Sequence, residues 1–361
     1  MQIQKLQFVK KSPPPSWTCW SVPTAAGPVH RILPDWSRAD TWGMIKSRVS
    51  AFRMNYAVTP GLYAVGDPSA DSDVFVTANY KLTFDIVRRE LKGMHAWVLV
   101  LDTRSINVWC AAGKETFGTE ELVKRIKATG LDCVVNHRRL ILPQLGAVGV
   151  NATEVRKLTG FRVSFGPVQA RDIQAYVQAG YRKTREMSTI DFPLLDRLVL
   201  TPMEINPALK KYPWFAASVL LLFGLQPSGL LFAPAWSGGW PFLILGLLAV
   251  LAGAFLTPVL LPFIPFRSFA LKGLLTGALM TGIAARAGFV HTGNLFLLGA
   301  AGVFFPAASS YIALQFTGST TFTGMSGVNR ELRIGLPLYI GAAAVSGILL
   351  VLFKLQEWRV L

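Results

Sequence analysis

Cysteine is scarce in this chain of 361 residues, which has three: Cys19, Cys110 and Cys133. No two of them have Cys-x-x-Cys spacing, and an iron–sulfur cluster usually needs about four thiolates, so the chain cannot hold such a cluster alone. An odd and sparse set also argues against a disulfide framework. We therefore expect a reducing compartment for the part of the chain that lies outside a membrane.

The sequence also lacks the motifs of several common cofactor and metal sites. No Gly-x-Gly-x-x-Gly follows an apolar run, and Gly113-Lys114-Glu115 has neither the upstream glycine nor the Ser/Thr of a phosphate-binding loop. The four histidines are scattered without the spacing of paired zinc ligands: His30, His95, His137 and His291. Dinucleotide, nucleoside triphosphate and histidine-based zinc sites are therefore not expected.

Charged residues are few, and most of them are basic. They make up 16% of the chain, against about a quarter in ordinary soluble domains, and the formal net charge is +16. A basic excess suits nucleic acid, anionic lipid or an acidic protein. Because no helix-turn-helix, zinc finger or aromatic single-strand platform is visible, we expect no nucleic acid, and membrane lipids and an acidic partner remain.

Long apolar runs are abundant, and they lie almost entirely after Lys211. Five of them approach the ~20 residues that cross a bilayer: 213–232, 241–261, 271–287, 295–316 and 336–353. Basic residues favour a cytoplasmic soluble half in a multi-pass protein of the inner (cytoplasmic) membrane, with Arg286, Lys354 and Arg359 as exceptions. Gly273 and Gly277 are either a close-packing motif for helices or a chance pair.

The half before the spans alternates between strand and helix patterns. Predicted strands lie at 74–77, 96–101, 133–135 and 162–165, and predicted helices at 82–91, 108–112, 119–130, 153–158 and 170–178. This alternation predicts a Rossmann-like α/β domain with a parallel sheet and helices on both faces. We expect an irregular N-terminal arm over 1–53, the α/β domain over 54–205 and an all-α transmembrane domain of five helices over 206–361.

One cysteine lies where such a fold binds ligands. The apolar strand 96–101 is followed by Asn107, a good N-cap, then by a short helix that contains Cys110 and ends at Gly113. Ligands of α/β sheets bind beyond the carboxyl ends of the strands, and a first-turn position favours a thiolate. Alternatively, Cys110 is a small buried hydrophobe, as we expect for Cys133 on its predicted strand.

A longer stretch decides between these alternatives by resemblance. The octapeptide Asn107-Val108-Trp109-Cys110-Ala111-Ala112-Gly113-Lys114 resembles the cap-helix signature of the corrinoid proteins of mercury methylation. The similarity extends to the flanking segments 59–66, 76–81, 116–122 and 137–146. In that family the cysteine is the lower axial ligand of cobalt, whereas the Asp-x-His pattern of histidine-ligated cobalamin proteins is absent here.

The resemblance implies a cofactor and a set of site residues. The cofactor is a cobalamin-type corrinoid, with Cys110 as the cobalt ligand and catalytic residue. The implied cofactor-binding residues are Asn79, Thr103, Asn107, Val108, Trp109, Cys110, Ala111, Ala112, Gly113 and Lys114. Lys114 either contacts the corrin or is a solvated charge, and the loop within 137–146 either lines the pocket or is a structural turn.

The implied function is a corrinoid-dependent methyltransferase that moves a methyl group from methyl-cobalt(III) corrinoid to mercury(II). The family also implies a methyl-folate-dependent donor system and a ferredoxin-like partner with two 4Fe-4S clusters. One alternative is a methyl carrier like the corrinoid/iron–sulfur protein of the acetyl-CoA pathway, which is soluble and has its own cluster cysteines. Another is a non-catalytic membrane-anchored ligand-binding protein.

Overall fold

A computed structural model describes residues 17–289, 293–316, 322 and 325–360 of the chain. The chain divides into two compact units, one that ends at Ile190 and one that begins at Asp191, with Arg48–Ser50 grouped with the second. The predicted boundary after residue 205 lies within the helix Leu194–Gly224 of the second unit. The units are described separately below.

Among the described residues of the first unit, seven strands form one mixed sheet. They are β1 (Thr18–Thr24), β2 (Gly27–Ile32), β3 (Gly61–Val65), β4 (Val74–Ala78), β5 (Ala96–Leu101), β6 (Arg139–Leu142) and β7 (Arg162–Phe165), in the spatial order β1-β2-β3-β5-β4-β6-β7. The block β5-β4-β6-β7 is parallel, as predicted. β2 and β3 are parallel to each other, but β3 runs antiparallel to β5, so the prediction of a parallel sheet holds for the block β5-β4-β6-β7 and not across the whole sheet.

The N-terminal arm contains regular structure, which corrects the prediction of an irregular segment. β1 and β2 pair as an antiparallel hairpin, β2 joins the sheet beside β3, and α1 (Arg38–Val49) follows. Gly27 turns the hairpin with a φ of 112°, a conformation that other residues rarely adopt. Pro23 and Pro28 obscured the strands in the sequence, but prolines are tolerated beside a turn at a sheet edge.

Helices cover both faces of the sheet because its strands bury alternate residues on opposite sides. The elements are α2 (Lys81–Glu90), α3 (Val108–Ala112), α4 (Thr119–Ala128), α5 (Leu131–Val134), α6 (Ala152–Thr159) and α7 (Ile173–Gln178). Val76 and Leu99 share a core with α3, α4, α5 and α6, whereas Phe75 and Val98 share one with α2 and α7. The predicted α/β layers are thus confirmed.

Two local predictions around Gly130 and Cys133 were wrong. The segment predicted as a strand over 133–135 belongs to α5 and its end, and Cys133 is exposed, not buried. Gly130 has a φ of 55° and starts a new helical turn, which the short apolar run alone does not reveal. The strand of this region is β6, within a stretch that we described only as a loop.

A buried ionic cluster ties α1 to α2. Lys81 Nζ lies 3.1 Å from Asp40 Oδ1 and 2.5 Å from Asp85 Oδ1, and Arg88 lies 2.8 Å from Asp40 and 2.7 Å from Asp85. The four side chains are at most 7% exposed. Burial alone would raise the pKa of Asp40, but hydrogen bonds from Ser37 and Arg88 and the charge of Lys81 hold it well below its ordinary range.

The second unit is mainly helical, with one short antiparallel pair of strands, Leu225–Gln226 and Gly229–Leu230. Its helices are α8 (Leu194–Gly224), α9 (Phe232–Leu251), α10 (Thr257–Val259), α11 (Phe269–Arg286), α12 (Leu295–Gln315) and α13 (Met325–Glu357). Three stretches of the described residues are long and apolar enough to cross a membrane: Phe232–Val259, Leu295–Gln315 and Gly327–Glu357. The predicted apolar segments all overlap helices, but the count of five spans is not confirmed.

The glycines predicted as a close-packing motif lie at a helix contact. A Cβ atom on Gly273 would come within 2.5 Å of Ala313 Cβ, and one on Gly277 within 2.5 Å of Ser309 Cβ. Ser309 Oγ donates a 2.9 Å hydrogen bond to the carbonyl of Gly273. Small residues thus let α11 and α12 approach closely, as in membrane helix pairs.

Candidate functional site

The loop between β5 and α3 positions the predicted cap helix. Its residues Arg104 and Ser105 have φ values of 56° and 60°, which are unfavourable for residues with a Cβ atom. The Asn107 side chain then accepts a 3.0 Å hydrogen bond from the backbone N–H of Cys110. This N-cap and the helix Val108–Ala112 agree with the prediction from the sequence.

The thiol of Cys110 is half-buried in the first turn of α3. Burial raises its pKa, and the positive charges of Arg53 and Lys114 offset this only in part. The position at the helix start does not by itself bring this pKa below its ordinary value, because the desolvation of the thiol outweighs the nearby positive charges. Bound metal would instead displace the thiol proton.

A tightly packed turn, which follows α3 in the chain, fixes the C-terminal end of this helix. The Ala111 carbonyl accepts hydrogen bonds from the backbone N–H groups of Lys114, Thr116 and Phe117 at 3.0–3.1 Å. A Cβ atom on Gly149 would lie 2.3 Å from Phe117 O and 3.0 Å from Ala112 O. Only glycine fits between these backbone atoms, so the segment around Gly149 packs directly against the C-terminal end of α3.

An apolar cavity of about 350 Å³ opens beside the start of α3. Phe75, Val76 and Thr77 of β4 and Ile141 and Leu142 of β6 form its floor. The remaining wall residues come from α2, the start of α3, two loops and the start of α7: Thr83, Ile86, Val87, Asn107, Val108, Trp109, Pro143, Leu145, Pro167, Val168, Gln169, Ala170 and Ile173. The cavity thus lies where ligands of α/β sheets bind.

The predicted site residues fall into three groups. Asn107, Val108 and Trp109 line the cavity. Cys110, Ala111, Ala112, Gly113 and Lys114 form the rest of α3 and its end, where the alanines are buried and Gly113 and Lys114 are exposed. Asn79 and Thr103 do not line the cavity: Asn79 is buried directly after β4, and Thr103 is buried in the loop before α3.

Sequence reasoning missed several residues of the cavity and of the thiol environment. Arg53, whose charge acts on Cys110, lies in a segment that we had assigned to the irregular arm. Pro167 and its neighbours close the cavity from the loop after β7. A signal was present, because Pro143 and Pro167 each follow a strand closely, which is where a parallel sheet presents its ligand-binding loops. The loop within 137–146 contributes Pro143 and Leu145, as we considered.

The donor set of this region restricts the metal centre it could hold. No group of three or more His, Cys, Asp or Glu side chains suited to a metal ion occurs in the part of the chain that the structure describes. A bare zinc ion, which takes about four ligands, does not fit. The single sulfur of Cys110 beside an apolar cavity suits a metal that brings its other ligands in a macrocycle.

Comparison with known proteins finds relatives for this region. Residues 51–177 match the family model of the CO dehydrogenase/acetyl-CoA synthase delta subunit. The acetyl-CoA decarbonylase/synthase complex subunit gamma of Archaeoglobus fulgidus is 33% identical over 126 residues, which are 34% of this chain and 26% of that protein. The corrinoid/iron-sulfur protein large subunit of Moorella thermoacetica is 32% identical over 120 residues, 33% of this chain and 26% of that protein.

A third relative matches a shorter stretch. The gamma subunit of Methanocaldococcus jannaschii is 38% identical over 99 residues, which are 26% of this chain and 20% of that protein. The chain thus spans about a quarter of the length of the first curated relatives it matches. The family match contains β3 to β7, the cavity and Cys110, and it ends before the helical second unit. The family match therefore lies within the α/β unit.

Proposed function

We propose that the chain is a membrane-anchored methyl carrier that would hold a corrinoid at the carboxyl end of the sheet, with Cys110 as the residue that would bind its cobalt. The observation that carries this proposal is a half-buried cysteine on the helix whose start lines an apolar cavity, in a chain whose described residues hold no group of three or more side chains suited to a bare metal ion. The relative named as a corrinoid/iron-sulfur protein, which is 32% identical over 120 residues, supports the choice of cofactor.

The residues of the site have separable tasks in this proposal. A bound corrinoid supplies a cobalt centre that can accept and release a methyl group, while the protein supplies ligation and orientation. Cys110 loses its proton and donates a sulfur electron pair, and Arg53 and Lys114 lower the cost of the resulting charge. Asn107, Val108 and Trp109 close the apolar cavity against the cofactor.

Two different acceptors of the methyl group are candidates, and different observations support each of them. The comparisons favour a carrier of the acetyl-CoA-pathway type, because the relatives bear the names of that complex. Transfer to mercury(II), with formation of methylmercury, rests on the octapeptide around Cys110 and on the thiolate ligand it would provide. A thiolate is a strong donor, as in thiolate-ligated haem, and favours a methyl group that leaves with its electron pair. We retain mercury(II) as the second candidate acceptor.

The partners belong to the same proposal. The three cysteines cannot build an iron–sulfur cluster, so a separate iron–sulfur protein of the ferredoxin type, with two 4Fe-4S clusters, would supply electrons. A methyl-folate-dependent system would supply the methyl group. Three apolar helices in the second unit support anchoring in the inner membrane, with the α/β unit on the cytoplasmic side.

The decisive experiment measures the cofactor and then the acceptor. The full chain, purified in detergent from cells supplied with cobalamin, should contain about one cobalt per chain, and Cys110→Ala should change the visible spectrum of the bound corrinoid. Methyl transfer is then assayed with mercury(II) and, separately, with an acetyl-CoA synthase. A protein free of cobalt after both cellular loading and reconstitution would refute the proposal.

A further inference from the structure

Asn79 is a buried amide whose side chain connects β4 to the loop before α3. It follows β4 directly and is 5% exposed. Its Oδ1 accepts hydrogen bonds from the backbone N–H groups of Thr103 at 3.0 Å and Ser105 at 3.1 Å. Its Nδ2 donates to Asp102 Oδ1 at 3.2 Å. Both the oxygen and the nitrogen of the amide thus bind the loop that follows the neighbouring strand β5.

The orientation of this amide is fixed by its partners. Backbone N–H groups can only donate, so the oxygen of Asn79 must face Thr103 and Ser105, and the nitrogen must face the Asp102 carboxylate. The Thr103 hydroxyl lies 2.9 Å from the same oxygen and 2.6 Å from the Ile106 carbonyl, and shares its one hydrogen between them. Neither an alanine nor a carboxylate at position 79 can satisfy this whole set.

The loop needs such support because its backbone is unfavourable. Arg104 and Ser105 both have left-handed φ values, a conformation that is unfavourable for residues with a Cβ atom. The Asn79 amide binds the N–H groups on either side of Arg104, so it holds this conformation directly. Two residues further along, Asn107 begins α3 and caps the N–H of Cys110. The direction in which α3 leaves the sheet therefore depends on Asn79.

We infer that Asn79 is a positioning residue: it fixes the loop over residues 102–106 to β4, and through that loop it sets the place of the Cys110 sulfur over the carboxyl end of the sheet. The inference rests on the proposed corrinoid site, but concerns an amide that would not contact the cofactor. Outer-shell partners of metal ligands typically change metal affinity by about 10–100-fold when removed. Asn79→Ala should therefore weaken ligation about tenfold or more while leaving the cavity walls in place.

The test compares four forms of the full chain in detergent, each titrated with cobalamin reduced to the cobalt(II) state. They are the wild type, Asn79→Ala, Cys110→Ala and Val98→Ala. Val98 is fully buried on the face of β5 that packs against α2 and α7, whereas α3 packs on the other face of the sheet. Val98→Ala should therefore lower stability without changing a contact of the loop over residues 102–106. The readouts are the dissociation constant and the cobalt–sulfur features of the visible and paramagnetic resonance spectra. Thermal unfolding shows whether Asn79→Ala and Val98→Ala are equally destabilised.

The expected result is that Asn79→Ala loses most of the cobalt–sulfur signal and binds about tenfold more weakly, while Val98→Ala keeps the wild-type spectrum. If Asn79→Ala does not fold, Asn79→Asp replaces it, since it keeps the acceptor but opposes Asp102, and it should show a partial loss. A wild-type signal in Asn79→Ala, or the same loss in Val98→Ala, overturns the inference. A wild type without any cobalt–sulfur signal overturns the proposed function instead.

Discussion

The side-chain oxygen of Asn107 lies 3.0 Å from the backbone nitrogen of Cys110 and accepts its hydrogen. This contact satisfies one of the open N–H groups at the start of α3 and fixes the turn that carries the thiol. Because α3 has only five residues, it has little stability of its own, and the cap accounts for much of its order. Presentation of the sulfur therefore depends on a side chain three positions away.

The first prediction concerns this cap. Asn107→Ala should lower the free energy of unfolding by about 1 kcal/mol, the usual value for an N-cap, and should weaken retention of cobalamin. Asn107→Ser keeps an acceptor at this position and should recover most of both losses. Denaturant unfolding and cobalt content after gel filtration measure these effects. Equal behaviour of the alanine and serine variants would contradict the capping role.

The two cysteines on helices of the α/β unit should behave differently. Cys110→Ala should remove the cobalt–sulfur features of the bound corrinoid and abolish methyl transfer, because Cys110 lies on the helix that borders the cavity and no cysteine lines the cavity wall itself. Cys133→Ala, on the exposed side of α5, should leave both unchanged. Spectra and single-turnover methyl transfer test this pair. An unaltered spectrum in Cys110→Ala would rule out sulfur ligation.

The parts of the site that depend on local sequence were predictable. The strand Ala96–Leu101 is a continuous apolar run, and the cap helix Val108–Ala112 has its N-cap and its glycine stop within a few residues. Both elements have the predicted bounds. The parallel block of the sheet also followed from the alternation of strands and helices.

The parts that depend on distant contacts were not predictable. Asn79 and Thr103 were chosen by resemblance as cofactor-binding residues, but only the fold shows that their polar atoms are used within the loop. The raised pKa of the Cys110 thiol depends on burial, which local sequence does not report. The strands β1 and β2 were not predicted, because their local pattern is weak and β2 depends on pairing with β3, which lies further along the chain.

The third prediction is that the α/β unit folds without the helical unit. A fragment that ends at Ile190 contains both apolar cores of the sheet and the whole cavity wall. It should be soluble, unfold cooperatively and bind cobalamin. Circular dichroism, denaturant titration and cobalt content measure this. A folded fragment that binds no cobalamin would show that the cofactor site needs residues beyond Ile190.

The fourth prediction uses the ionic cluster of α1 and α2 in the same fragment. Since the pKa of Asp40 is held below its ordinary value of about 3.9, this carboxylate stabilises the fold above that pH, and the stabilisation is lost as the pH falls below it. Asp40→Asn should lower stability at pH 7 by about 3 kcal/mol, because it leaves buried cations short of a partner. It should also flatten the decline below about pH 4.

The control for this cluster is an exposed ion pair. Asp35 lies 2.6 Å from Lys92, and its side chain is 68% exposed, so Asp35→Asn should change stability by less than about 1 kcal/mol. Urea unfolding at pH 7 and pH 3 distinguishes the two variants. Similar unfolding free energies for Asp40→Asn and Asp35→Asn at pH 7 would contradict a structural role for the cluster.

The last prediction concerns Gly149, the glycine that packs against the C-terminal end of α3. In Gly149→Ala, the added Cβ would lie 2.3 Å from Phe117 O and 3.0 Å from Ala112 O, both backbone atoms that cannot rotate away. The turn must therefore move away from the end of α3, at a cost of about 1–3 kcal/mol, and the cobalt–sulfur signal should weaken with it. Gly61→Ala is the matched control, because its Cβ meets no atom within 4 Å and its φ is not left-handed. Stability and the spectrum of bound cobalamin are measured for both variants. If Gly149→Ala is destabilised but keeps the full cobalt–sulfur signal, this turn supports the fold and not the position of the sulfur ligand.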